Sequence, residues 1–323
     1  MSARVPSLTV QKLLDGAAEL ALEVLAGDSG LERRIGVPRI QKPGLALAGF
    51  VEQVHPERVQ ILGSTEIGYL RSIPLEQARR GIQGFIAAGP ACVIVTKGLE
   101  VPLDLLELAN LEHVPVLRTK LISSAVIDKV ERFMEYELAP MQSLHGVLVD
   151  VLGVGILLVG KSSIGKSEAA LELIMRGFRL VADDLVEVRR IAGEVLIGRA
   201  SDLIKHHMEV RGLGIINLKD MFGVAAVRDE KKIELVLELI HWDRRESTDR
   251  LGLDELSHEI LGVPVPMLRI PVSPGRNVSS LIEVAARNRL LQVRGHHSAR
   301  EFQERLDRAL ESARAQNPRE DLE

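Results

Sequence analysis

Apolar and polar residues recur along the first part of the chain with the spacing of helices in some segments and of strands in others. Residues 7–27, SLTVQKLLDGAAELALEVLAG, carry apolar side chains at helical spacing and begin with Ser7 as a candidate helix cap. The stretches ACVIVTKG and VPVLRTK are short apolar runs typical of buried strands, and prolines separate the segments. This alternation predicts an α/β domain over residues 1–130.

A second domain, residues 131–323, is predicted after a connecting helix. Residues 124–142, SAVIDKVERFMEYELAPMQ, have a helical pattern that should stop before Pro140. The run HGVLVDVLGVGILLVG predicts two strands around a turn at Leu152-Gly153. The following run, SEAALELIMRG, predicts a helix that ends at a Gly177 cap.

A glycine-rich segment joins the second of these strands to the helix. It reads GKSSIGKS and has the spacing G-x-x-x-x-G-K-[ST] of loops that wrap around phosphates. Its backbone N–H groups and the helix dipole would favour an anion, Lys166 could reach the β- and γ-phosphates, and Ser167 could bind Mg²⁺. A chance match in a loop remains the alternative. The candidate phosphate-binding residues are Gly160, Lys161, Ser162, Ser163, Ile164, Gly165, Lys166 and Ser167.

Two further groups of polar residues follow this loop. Asp183 and Asp184 end an apolar run, FRLVADD, so they are expected at the same sheet edge as the loop, where one could act as a base; an exposed turn is the alternative. In HHMEVRGLGIINLKDMFG, Gly212 and Gly214 predict a mobile loop, and Glu209 of its Glu-x-Arg pair could complete a magnesium site. The two histidines of that stretch lack partners at zinc spacing.

Composition narrows the class of protein. The formal net charge of −4 gives no reason to expect nucleic acid or an anionic membrane as a partner. A single cysteine, Cys92, lies among apolar residues and is expected to be buried and unreactive. The N-terminus has no signal-peptide pattern and no apolar run is long enough to span a bilayer, so a cytoplasmic protein is expected.

Taken together, these motifs resemble the HPr kinase/phosphorylase family over nearly the whole chain. The resemblance rests on the phosphate-loop region, on MEVRGLGIIN, DRLG and PVSPGRN, and on KPGLALAGF, ERVQILGSTEIGYL and ACVIVTKGLEVP in the first half. It implies an N-terminal α/β regulatory domain and a C-terminal P-loop kinase domain similar to the carboxykinase-like nucleotide fold. Such enzymes phosphorylate a serine of the phosphocarrier HPr with ATP or pyrophosphate. They also reverse the reaction with inorganic phosphate, and so regulate carbon metabolism.

The resemblance also implies roles for individual residues. Lys166 contacts the transferred phosphate, Ser167 and Glu209 bind Mg²⁺, and Asp184 takes the proton of the HPr serine and returns it in reverse. Other catalytic residues are His145, Asp183 and Arg250, with residues 208–217 serving both directions. The segment implied in dephosphorylation consists of Pro271, Val272, Ser273, Pro274, Gly275 and Arg276.

The family assembles as a homohexamer and acts on HPr as a protein substrate. This chain departs from the usual family loop, because Lys161 stands where Asp is usual and Ser163 where Gly is usual. The main alternative hypothesis is a small-molecule or carboxykinase-like P-loop kinase. A nucleotide-binding regulator without catalysis is a third, but His145, Asp184, Glu209 and Arg250 together argue against it, since a pure binder needs no catalytic set.

Overall fold

The computed structural model describes residues 8–241, 256–273 and 275–316. The chain divides into two compact units, Met1–Pro140 and Met141–Glu323. None of the helices in the described ranges is both long and apolar enough to cross a lipid bilayer.

The first unit is built on a five-stranded sheet with the order β2-β7-β6-β5-β4, in which β4 to β7 are parallel and β2 is antiparallel. Its strands are β1 (Leu8–Thr9), β2 (Glu23–Ala26), β3 (Arg34–Ile35), β4 (Ile40–Gln41), β5 (Val59–Leu62), β6 (Cys92–Val95) and β7 (Val116–Arg118). Its helices are α1 (Val10–Gly16), α2 (Gly44–Leu47), α3 (Ser64–Ser72), α4 (Leu75–Ala87), α5 (Leu103–Leu111) and α6 (Ser123–Glu137).

Helices cover both faces of this sheet, which explains why its strands are apolar without alternation. Side chains of α4 and α5 pack on one face and those of α1 and α6 on the other. Cys92 is fully buried in β6, and burial raises the pKa of its thiol to about 12. The expectation of a buried, unreactive cysteine is confirmed, since the thiolate is the reactive form.

The long helix predicted over residues 7–27 is wrong. Helix α1 covers only Val10–Gly16, and its cap is Thr9, whose side chain accepts a hydrogen bond from the Lys12 amide at 3.2 Å; Ser7 lies outside the described residues. The later part of the segment forms β2, which pairs with β7. A strand partner far along the chain therefore overrides the local helical spacing.

The predicted connecting helix is confirmed, with different limits. Helix α6 ends at Glu137, three residues before Pro140, and Met141 and Gln142 already belong to a strand of the second unit.

The second unit contains a six-stranded sheet with the order β11-β9-β10-β17-β19-β18 and a four-stranded sheet with the order β16-β13-β12-β8. Its strands are β8 (Met141–His145), β9 (Val147–Val151), β10 (Val154–Gly160), β11 (Arg179–Ala182), β12 (Leu185–Ile191), β13 (Val195–Ala200), β14 (His207–Val210), β15 (Gly214–Asn217), β16 (Glu230–Lys232), β17 (Leu235–His241), β18 (Leu256–Ile260) and β19 (Val263–Val272). Its helices are α7 (Lys166–Met175), α8 (Leu218–Phe222), α9 (Val278–Val293) and α10 (Ser298–Gln316).

The six-stranded sheet lies between two apolar layers. One face packs against α7 and α9, and the other faces side chains of β12 and β13 in the four-stranded sheet. The predicted turn at Leu152-Gly153 is confirmed: both residues have positive φ, 55° and 84°, and join β9 to β10 as an antiparallel pair. Positive φ at both positions is typical of the tight hairpin turn that matches strand twist.

Strand directions determine which loops meet at one edge of this sheet. Strands β10, β17 and β19 are parallel, and β9 is antiparallel to both β10 and β11. Strand β11 therefore runs in the direction of β10. The residues after β10 and after β11 emerge at the same edge, where open α/β sheets bind ligands.

Candidate active site

The loop that joins β10 to α7 lies at this edge. Residues 160–167 comprise this loop with the last residue of β10 and the first two residues of α7, and are hereafter called the phosphate loop. Gly160 has φ of 142°, and a Cβ there would lie 2.5 Å from the carbonyl oxygen of Leu239. Gly165 has φ of 101° and directly precedes α7. Both positions therefore require glycine, and buried Ile164 anchors the loop to the core between them.

The start of α7 has no side-chain cap, so its first N–H groups are available to an anion. Lys166 is the first residue of this helix and its side chain turns back over the loop. Its ammonium group donates hydrogen bonds to the carbonyl oxygens of Gly160, at 3.0 Å, and of Lys161, at 3.1 Å. The loop therefore presents backbone donors and a lysine cation at one place.

Asp183, at the end of β11, is the buried centre of the site. Its Oδ1 accepts a hydrogen bond from the Ser167 hydroxyl at 2.8 Å, and its Oδ2 accepts one from the backbone N–H of Glu209 at 3.2 Å. Burial raises the pKa of the carboxyl group, against the lowering effect of these hydrogen bonds. One carboxylate thus joins the start of α7, the end of β11 and strand β14.

The adjacent Asp184 is instead exposed, with a left-handed backbone at φ of 64°. Its carboxylate lies 3.8 Å from Nδ1 of His145, and both side chains are mostly solvent-accessible. The register of β8 and β12 produces this neighbourhood, because His145 pairs with Leu185 and the Gly146 amide donates to the Asp184 carbonyl at 3.0 Å. His145, isolated in the sequence, is thereby placed beside the acidic pair.

The stretch predicted as a glycine loop forms instead an antiparallel hairpin of β14 and β15, hereafter the β14–β15 hairpin. Gly212 and Gly214 have φ of 87° and 86° and make its turn. The Glu209 side chain is exposed, while its backbone holds Asp183. Arg211 in the turn donates a hydrogen bond to the Ser163 hydroxyl of the phosphate loop.

Arg211 is the site residue that sequence reasoning did not single out with a role of its own. Its signal was the isolated Glu-x-Arg pair, but only the fold brings the arginine to a loop 48 residues earlier in the chain.

The two histidines of this stretch have ordinary partners. His206 lies 3.4 Å from Asp229, and Nδ1 of His207 lies 2.9 Å from the Lys205 carbonyl oxygen. Within residues 8–241, 256–273 and 275–316, no three His, Cys, Asp or Glu side chains form a metal-binding cluster.

The structure describes only some of the remaining predicted residues. Arg250 and Pro274 lie outside the described residues. Pro271 and Val272 are the last residues of β19 rather than loop residues, and the loop to α9 contains Ser273, Gly275 and Arg276. The guanidinium of Arg276 donates to the Pro271 carbonyl oxygen at 3.3 Å. The predicted strand-to-helix connection is confirmed.

Asn277, just beyond this segment, caps α9 by accepting a hydrogen bond from the Ser280 amide at 2.7 Å. Its side-chain amide donates to Glu172 of α7 at 2.8 Å. The segment is thereby tied to the helix that carries Lys166 and Ser167.

Comparison with known proteins places both units in one family. The family model described as "HPr Serine kinase N terminus" matches residues 8–134, and the "HPr Serine kinase C-terminal domain" model matches residues 136–306. The chain is similar to the HPr kinase/phosphorylase of Geobacter sulfurreducens, with 52% identity over 93% of this chain and 94% of that protein. The HPr kinase/phosphorylase of Leptospira biflexa is 44% identical over 94% of this chain and 95% of its own length.

Among solved structures, the Hpr(Ser) kinase/phosphatase from Coxiella burnetii is 33% identical, covers 50% of this chain and 98% of its own, and has a TM-score of 0.45. The two family models and the full-length relatives agree with each other and with the motifs of the phosphate loop and the β14–β15 hairpin. The chain belongs to the HPr kinase/phosphorylase family.

Proposed function

We propose that this chain transfers a phosphoryl group from ATP or pyrophosphate to a serine of HPr, and removes it again with inorganic phosphate to give pyrophosphate. The observation that carries the proposal is the arrangement of Asp183 and Asp184 at the phosphate loop. One carboxylate is buried and bonded to Ser167, and the next is exposed beside His145. A buried anchor and an accessible base at a phosphate loop are what phosphoryl transfer to a protein hydroxyl requires.

Phosphate binding is assigned to the phosphate loop. Phosphoryl transfer depends mainly on positioning and on neutralising charge that spreads over the phosphate oxygens. The uncapped start of α7 supplies N–H donors, and Lys166 supplies a cation that can exchange its two loop carbonyls for phosphate oxygens. Lys161, which is exposed on the same loop, adds positive potential.

The residues present also fit a magnesium ion. Ser167 and Glu209 offer hydroxyl and carboxylate oxygens, and Asp183 links the two residues through its hydrogen bonds. Mg²⁺ usually takes only one or two protein ligands besides water and phosphate oxygens, so a full protein cage is not needed. When bound, the ion neutralises charge on the phosphates. We assign its protein ligands to Ser167 and Glu209.

Proton transfer is assigned to Asp184. Its exposed carboxylate can accept the proton of an incoming serine hydroxyl, and His145 at 3.8 Å can orient it. In the reverse direction the protonated Asp184 returns the proton to the departing serine oxygen while phosphate attacks the phosphoserine. Phosphorolysis is the exact reverse of phosphorylation by pyrophosphate, so those two reactions share a transition state and the same group serves both; phosphorylation by ATP requires the same removal of the serine proton.

On the family resemblance, we propose that Arg250 stabilises the negative charge that develops on the transferred phosphoryl group. On the same ground, we propose that residues 271–276 bind the incoming phosphate. On the same resemblance we also place the enzyme in the cytoplasm, as a homohexamer that regulates carbon metabolism.

A phosphotransfer assay on purified HPr tests the proposal. Wild-type protein should label HPr on serine with ATP and Mg²⁺, and excess phosphate should then release the label as pyrophosphate. Lys166→Ala should lose both reactions while keeping its circular dichroism spectrum. Failure to label HPr, with transfer to a small molecule instead, would replace this proposal by a small-molecule kinase.

A further inference from the structure

The hydrogen bond between Arg211 and Ser163 connects two parts of the site. Arg211 lies in the turn of the β14–β15 hairpin, and its Nη2 donates to the Ser163 hydroxyl in the phosphate loop. Both side chains are exposed at the loop surface. The guanidinium is therefore held next to the segment that carries Lys161 and Lys166.

Ser163 occupies a backbone position that suits glycine. Its φ is 70°, in the left-handed region, as are the φ values of several glycines in the unit. A residue with a Cβ is less favourable than glycine in this region. The serine therefore carries a conformational cost, and its hydroxyl accepts a hydrogen bond from Arg211.

Besides the packing of buried Met208 against the core beside α7, two hydrogen bonds attach the hairpin to the phosphate-loop side of the site. At its base, the backbone N–H of Glu209 donates to buried Asp183, which also holds Ser167. At its tip, Arg211 donates to Ser163. The first hydrogen bond is partly buried and the second is exposed. A phosphate group arriving at the loop could thus reach the guanidinium, which binds phosphate with paired donors.

We infer that Ser163 is a positioning residue, whose hydroxyl holds the Arg211 guanidinium at the phosphate loop so that it is in place for a di- or triphosphate. The inference rests on the proposed function for the class of ligand. The hairpin tip closes against the loop before the ligand binds, and Arg211 joins the lysines as a phosphate-binding cation.

Hydrogen exchange on the protein without ligand tests whether the Ser163 hydroxyl holds the hairpin tip at the phosphate loop. Ser163→Gly removes the hydroxyl and the left-handed cost, whereas Ser163→Ala removes the hydroxyl alone. Amides of residues 207–217 should exchange faster than wild type in both variants, and amides of β5 to β7 should not change. Wild-type exchange rates in Ser163→Gly would overturn the inference, even if Ser163→Ala did not fold.

Calorimetric binding of magnesium pyrophosphate, measured in a double-mutant cycle, tests whether Arg211 binds phosphate in the position that Ser163 gives it. Each Ser163 variant should weaken binding by about 5-fold, as expected for a hydrogen bond of ~1 kcal/mol. In an Arg211→Ala background the same substitutions should have no effect, because the hydroxyl acts through Arg211. An undiminished effect in that background, or none in the wild-type background, would overturn the inference.

The outcome separates this inference from the proposed function. Coupled pyrophosphate binding without transfer to HPr would support the positioning role and overturn only the proposed substrate. Transfer to HPr with no coupling between Ser163 and Arg211 would support the proposed function and overturn the positioning role. A wild-type chain that binds no pyrophosphate would overturn both.

Discussion

Asp183 and Asp184 are neighbours in the chain and lie in opposite environments. Asp183 is buried with both carboxylate oxygens hydrogen-bonded, and Asp184 is exposed in a left-handed backbone conformation. The backbone reversal between β11 and β12 turns one side chain inward and the other outward. Substituting each aspartate should therefore have a different effect, on catalysis for Asp184 and on stability for Asp183.

Asp184→Asn should remove phosphoryl transfer and keep nucleotide binding. Asn has the same shape and cannot accept the serine proton, and loss of a general base costs roughly 10²–10⁴-fold in rate. The measurement is kcat for HPr phosphorylation beside calorimetric ATP binding. Asp15→Asn, an exposed aspartate of the first unit, is the matched control and should keep full activity. Transfer within a few-fold of wild type would assign the proton to another group.

Asp183→Asn should change how stability depends on pH. Burial raises the folded-state pKa of Asp183 above its ordinary value of 3.8, so in the window between the two values the folded chain binds a proton that the unfolded chain has released. Rising pH therefore destabilises the wild type there. The unfolding free energy of wild type minus that of the variant should fall as pH rises through this window, then level off. Urea unfolding of both proteins across the acid range measures this difference in unfolding free energy. A difference that grows with pH would contradict the prediction.

At the scale of elements, the loop between β19 and α9 is positioned from both sides. Strand β19 is parallel to β17, which is parallel to β10, so the loop emerges at the edge of the phosphate loop. Asn277 then ties the start of α9 to Glu172 of α7. An arginine on such a loop can bind an anionic ligand that arrives at the same edge.

Arg276→Ala should harm phosphorolysis more than phosphorylation. In phosphorolysis a free phosphate must be captured beside a phosphoserine, two anions that repel, whereas ATP brings its phosphates already joined. Loss of one charged hydrogen bond corresponds to about 10-fold or more in kcat/KM for the reverse reaction. Both directions should be measured at one Mg²⁺ concentration.

Arg294→Ala, an exposed arginine after the far end of α9, is the control for this comparison and should change neither direction. Equal losses in the two directions for Arg276→Ala would show that the loop acts on shared chemistry.

At the scale of the whole molecule, each unit has its own sheets and its own apolar clusters. The second unit also exposes large apolar side chains, among them Leu213, Ile215 and Val224. Apolar side chains on a surface commonly mark contacts with other proteins.

The chain should be an oligomer in solution, a hexamer if it assembles as the family does. Multi-angle light scattering at micromolar concentration measures the mass directly. Because oligomers dissociate on dilution, a concentration series should show the mass falling only at low concentration. A monomer throughout the series would contradict the prediction.

The sequence alone predicted the features that depend on neighbouring residues. The strand-turn-strand at Leu152-Gly153, the glycine-rich connection before α7 and the strand-to-helix loop near Arg276 are confirmed, because local spacing and backbone preference define them. The resemblance also identified the family, because its motifs are specific.

Only the tertiary structure decided which distant residues meet. The end of the segment predicted as a helix over residues 7–27 is instead strand β2, because β2 pairs with β7, which lies far along the chain. The register of β8 and β12 placed His145 beside Asp184, and the β14–β15 hairpin brought Arg211 to Ser163. These contacts follow from strand order and direction, which local periodicity does not encode.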